Sequence, residues 1–101
     1  MAVDLSYENF CNRVGETFTV SLEGMPAIEL ELVEVDEHEL KGKRPEHVRQ
    51  RPFSLLLRGP LDPLLYQAMY RLTHPEMGTL DLFLVPIGPE EGHHFYDVVI
   101  N

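Results

Sequence analysis

His93 and His94 stand side by side near the end of the chain, with Tyr96 and Asp97 close behind. Imidazoles beside a carboxylate and a phenol are the materials of a metal centre or an acid–base site. Spacing argues against both. Residues 93 to 100 read as a strand, in which side chains alternate. His93, Phe95, Asp97 and Val99 then face one way, and His94, Tyr96, Val98 and Ile100 the other. The two histidines cannot grip one ion together, and His93 and Asp97, on one face, lie about 13 Å apart at ~3.3 Å per residue. His38, His47 and His74 add no ligand spacing. The expectation is a strand that begins with two polar residues at a hairpin mouth, with no metal and no cofactor.

Other reactive side chains fare no better. A nucleophilic cysteine needs a base and a lowered pKa. Cys11, the single cysteine, sits between Phe10 and Val14 on a short helix and reads as a small hydrophobe. Ser54 lies inside a strand with no Gly-x-Ser-x-Gly elbow around it. The carboxylates from Glu29 to Glu39 alternate with apolar residues, so they form a wet strand face. Paired-carboxylate catalysis would need two of them in a cleft, one with a raised pKa. Lys41, Lys43, Arg44, Arg49 and Arg51 lack the interleaved aromatics of a nucleic-acid groove. The formal charge of −9 also opposes a phosphate-bearing partner or an anionic membrane. No run approaches the ~18 apolar residues of a membrane span, and residues 1 to 5 have no basic-then-apolar leader. With one cysteine, a reducing cytoplasm is the expected location.

The elements that position these residues follow from the apolar periods. With 44% apolar and 25% charged residues over 101 positions, the composition is that of one ordinary globular domain, residues 1–101. Leu5, Phe10 and Val14 fall at helical spacing, and Gly15 stops a short helix over residues 6 to 14. Thr17 to Glu23 reads as a strand closed by Gly24-Met25-Pro26. Ile28, Leu30 and Leu32 alternate with glutamates, whereas Val33 and Val35 are out of phase by one. A bulge near Leu32-Val33 would return the apolar side to the core. Residues 40 to 52 show no period and form an exposed loop.

Further strands are expected at Phe53 to Arg58, Tyr66 to Thr73, Thr79 to Ile87 and His93 to Ile100. Turns at Gly59-Pro60, His74 to Gly78 and a five-residue loop from Gly88 to Gly92 separate them. The nearly continuous apolar run from Thr79 to Ile87 predicts a central strand covered on both faces, with Pro86 at an edge or bulge. The fold class is therefore mainly β: a short N-terminal helix, then about six antiparallel strands in a meander. Such a sheet must curl into a small barrel or a two-layer sandwich to cover its own faces.

Tyrosine, methionine and arginine on a sheet face are the residue types that anchor protein interfaces. Tyr66, Met69, Tyr70 and Arg71 supply them, with Gln67 and Phe83 nearby. Leu56, opposite Phe53, Leu55 and Leu57 on its strand, adds an apolar side chain to the outer surface. Incomplete closure of the sheet would also leave strand edges open to pairing.

The segments "FSLLLRGP" (53 to 60), "YQAMYRLTHPEMGTLDLFLVPIG" (66 to 88) and "YDVVIN" (96 to 101), with "FCNRVGETFTV" near the start, resemble a family of small bacterial domains of unknown function. Its pattern joins Phe-Ser-Leu and a Gly-Pro turn to Gln-x-x-Tyr-x-Leu-x-His-Pro-x-x-Gly and Leu-Phe-Leu-Val-Pro. The resemblance implies an accessory role in phage-tail-like or fibre assembly, and it carries no catalytic residues. The terminal "VVIN" departs from an ending that more often holds an aromatic.

A non-enzymatic interaction or assembly domain is thus the leading expectation, with self-association or a protein partner. Two alternatives stay open: a small enzyme or metal-binding protein using the C-terminal histidines, or a binder of small apolar ligands inside the barrel.

Overall fold

Alternating burial along each strand is what closes this sheet. In a computed structural model that describes residues 7–37, 52–62 and 64–100, helix α1 (Tyr7–Cys11) is followed by six strands. They are β1 (Thr17–Val20), β2 (Ile28–Glu37), β3 (Phe53–Gly59), β4 (Ala68–His74), β5 (Gly78–Glu90) and β6 (His93–Ile100). Inward residues such as Phe18, Val20, Leu30, Leu32, Leu55, Leu57, Leu72, Leu82, Leu84, Tyr96 and Val98 are all buried. One strip of apolar side chains per strand suffices for a common core. The loop expected over residues 40–52 falls, Pro52 apart, outside the described residues.

All pairings are antiparallel, and the strands close in the order β1-β2-β3-β6-β5-β4. This is not the simple meander expected. Two three-stranded meanders are joined by a crossover between Gly59 and Ala68, so β3 lies beside β6, and β4 beside β1. The last seam is short, with only Thr19↔Thr73 and Val20↔Leu72 in register. Leu65 is buried on the crossover, and its backbone N–H donates to the Tyr96 hydroxyl over 3.0 Å. Burial raises the Tyr96 pKa, and the nearby Tyr70 adds to the rise; the Leu65 hydrogen bond pulls the other way.

The two irregularities in register have different origins. β2 shifts between Leu32 and Glu34, the expected bulge: Val33 takes the extra position, and Val35 turns back against the core. β5 shifts between Pro86 and Gly88, where Ile87 bulges outward. Beyond it β5 continues to Glu90, so the expected five-residue loop is a two-residue turn. Glu91 and Gly92 both have positive φ (50° and 82°), the mirror-image turn whose twist suits a tight hairpin.

Three further expectations are corrected. The helix stops at Cys11 rather than residue 14, because its backbone turns so that the Gly15 N–H reaches Leu32 O; Val14 is left exposed. β1 ends at Val20, three residues early, and Leu22 folds against the core from the loop. β5 is covered on one face only: Leu80, Leu82 and Leu84 are buried, whereas Asp81 and Phe83 between them are exposed. At the helical end, Phe10 is fully buried against Phe18 and Phe53, with ring centroids 6.3 and 5.9 Å away.

Candidate functional site

The residues singled out by type divide between the two sides of the wall. Met69 on β4 pairs directly with Phe83 on β5, and both side chains point outward. They are 61% and 43% exposed, and Tyr66, just before β4, is 75% exposed. Met69 and Phe83 thus share one outer surface, and Tyr66 is exposed in the segment that leads into β4. Arg71 lies on that surface too, but its Nε donates to Asp81 Oδ1 over 3.1 Å, across the strand pair. Tyr70 alternates inward and packs against the core, its hydroxyl donating to Tyr66 O over 2.6 Å. It serves to fix the chain entering β4 rather than to face outward. Leu56 is on the outside of β3, flanked in register by Glu34 and Asp97. In a six-strand ring β3 is opposite β4, so Leu56 belongs to another face. Phe83 is the cross-strand partner of Met69 on the outer face.

The histidines are separated as strand alternation requires. His93 is exposed, with its Nδ1 3.2 Å from Glu91 O, while His94 is half-buried on the other side of the strand. Among the described residues no group of three or more His, Cys, Asp or Glu side chains is placed to hold a metal ion. His74 is buried at the far end of β4, where its ring contacts Phe18 at 4.8 Å between centroids. Its Nδ1 accepts the backbone N–H groups of Glu76 and Met77, and its Nε2 faces Glu16 Oε1 at 2.6 Å. The role of His74 is therefore to organise the β4–β5 turn.

A concave feature elsewhere on the barrel was not legible by residue type. An open cleft of about 650 Å³ is lined by the β1–β2 loop (Met25, Pro26, Ala27), by Glu29 and Glu31 of β2, by Arg58 and Pro60, and by Asp62 and His93. Arg58 Nη2 bridges Glu31 Oε1 at 2.6 Å across paired strands. The lining is drawn from the β1–β2 loop, β2, β3, the connection after β3 and β6, and the register of β2, β3 and β6 brings these together.

The model of one family, Domain of unknown function (DUF6916), matches residues 5–100. The chain belongs to that family. No curated protein and no solved structure matches it. The family match covers every element of the barrel, including both the Met69–Phe83 surface and the cleft.

Proposed function

We propose that this domain is a non-enzymatic protein-interaction module that docks through the outer face of β4 and β5. The carrying observation is the direct cross-strand pairing of Met69 with Phe83 on the solvent side. Large flat or flexible apolar side chains in water cost free energy unless a partner covers them, and such patches mark interaction sites. The start of β4 supports the same face. Within the described strands, Ala68 to Arg71 pair with β5 alone, because β1 reaches only Leu72 and Thr73. An extended partner segment has main-chain groups to meet there. The ends of β2 (Glu34 to Glu37) and β5 (Val85 to Glu90) are likewise paired with one strand only, but neither carries the Met69–Phe83 pair.

An accessory role in a phage-tail-like or fibre assembly is a specialised form of this reading and rests on the sequence resemblance. The test is a double substitution, Met69→Glu with Phe83→Glu, outside the core. Sedimentation at micromolar concentrations and affinity capture from the native host compare it with the parent chain. The expected result is loss of self-association or of a captured protein, with an unchanged far-UV spectrum. A parent chain that is a strict monomer and captures nothing beyond the double variant overturns the proposal.

A further inference from the structure

The cleft lies on β2 and β3, across the ring from the Met69–Phe83 face. Its charges do not balance. Glu31 is neutralised by Arg58 at 2.6 Å, whereas Glu29 and Asp62 have no ion-pair partner among the described residues. Its walls are apolar and wet: Met25 is 45% exposed, and Pro26, Ala27 and Pro60 are exposed beside it. Carboxylates alone would make a hydrated surface, and hydrocarbon walls alone would suit a neutral ligand. Both together fit an aliphatic stem that ends in a cation, since such side chains lay their methylenes on apolar surface and keep the charged head at a polar rim.

We propose that this cleft receives a basic segment of a partner protein. It takes one lysine or arginine side chain, with the stem against Met25 and Pro60 and the head towards Glu29 and Asp62. A guanidinium suits the site well, because it can meet a carboxylate through two parallel N–H donors. The volume of about 650 Å³ falls inside the ~300–1,000 Å³ of ordinary ligand pockets, which leaves room for flanking residues as well as the head group. A chain of net charge −9 draws such a segment in from a distance and repels acidic competitors. This proposal is independent of the β4–β5 face and survives its failure.

The test uses a fluorescent peptide of alternating arginine and valine, its citrulline counterpart of the same shape without charge, and agmatine as a free small cation. Anisotropy is read for the full chain and for the Glu29→Gln/Asp62→Asn variant, whose altered positions are on the surface. The arginine peptide binds the parent, loses about tenfold or more in affinity to the variant, and weakens as salt rises. The citrulline peptide does not bind. No binding of the arginine peptide, equal binding by the variant, or equal binding of the citrulline peptide overturns the proposal. Agmatine displacing the peptide at the peptide's own concentration also overturns it, in favour of a small-molecule site.

Discussion

Glu16 and His74, 58 positions apart in sequence, meet at 2.6 Å between Oε1 and Nε2. Because Nδ1 of the same ring accepts two backbone N–H groups, the ring proton is on Nε2 and is donated to the carboxylate. Arg13 adds its guanidinium to Glu16 at 3.5 Å and to Glu76 at 3.1 Å. One imidazole thereby ties the approach to β1 to the turn between β4 and β5, at the end of the shortest seam in the barrel.

His74→Phe keeps the ring and removes both functions. Two backbone amides lose their acceptor, Met77 N–H at a buried position and Glu76 N–H at a part-buried one, at a cost of about 1–3 kcal/mol for each that stays dry. Urea denaturation is expected to show a loss of about 2–4 kcal/mol, with a smaller loss for His74→Asn, whose carbonyl can stand near the place of Nδ1. Equal stability of the phenylalanine variant and the parent would falsify this account of the turn.

Tyr96 makes stability fall on the alkaline side. Its folded pKa is raised, first by burial, so above the ordinary phenol pKa of about 10 the unfolded chain releases a proton that the folded chain keeps. The contribution is complete below that pH and disappears as pH climbs through the folded pKa. Tyr96→Phe loses the bond from Leu65 N–H, so it is weaker near neutrality and less sensitive to alkali. Parallel denaturation curves at pH 8 and 11 are the check: an identical alkaline decline in both chains rules the explanation out.

Gly59 has no room for a methyl group. A Cβ there would stand 2.5 Å from Leu30 Cδ2, and Leu30 is fully buried. Gly59→Ala is expected to cost about 1–3 kcal/mol through overpacking. Leu30→Val in the same chain should recover part of that cost, giving a favourable coupling in a double-mutant cycle. Strict additivity of the two changes would show that the contact is not what limits the site.

Chelation provides a fourth check. With His93 and His94 on opposite sides of β6, EDTA should leave the thermal midpoint of the freshly purified protein unchanged. A fall of several degrees would place a metal where strand alternation forbids one.

Local conflicts in the apolar period proved the most readable signals. The bulge at Val33 follows from two valines out of step with Ile28, Leu30 and Leu32. The alternation of His93 and His94 follows from strand geometry alone. Phe83 was harder, because an apolar residue on a wet face looks in sequence like one on a covered face. That ambiguity is why β5 read as doubly buried. Pro89 falls inside the five-residue loop expected from Gly88 to Gly92, yet it pairs with His94 in the strand, and the turn is Glu91–Gly92 alone. The cleft could not be read at all, since Met25, Glu29, Arg58, Asp62 and His93 are joined only by strand register. Strand order was equally hidden: no local feature of residues 60–67 says that the chain crosses rather than turns back.

That crossover has a consequence during synthesis. When β1, β2 and β3 have left the ribosome, β1 still lacks β4 and β3 still lacks β6. Leu30, Leu32, Leu55 and Leu57 then lie on a three-stranded ribbon with two bare borders, and only α1, through Phe10, is available to cover one end of its oily side. Neither seam can form until residues beyond 67 emerge, so the nascent half-barrel presents unpaired borders and apolar side chains that the finished barrel covers. Truncation after β3 should therefore yield a chaperone substrate rather than a smaller domain.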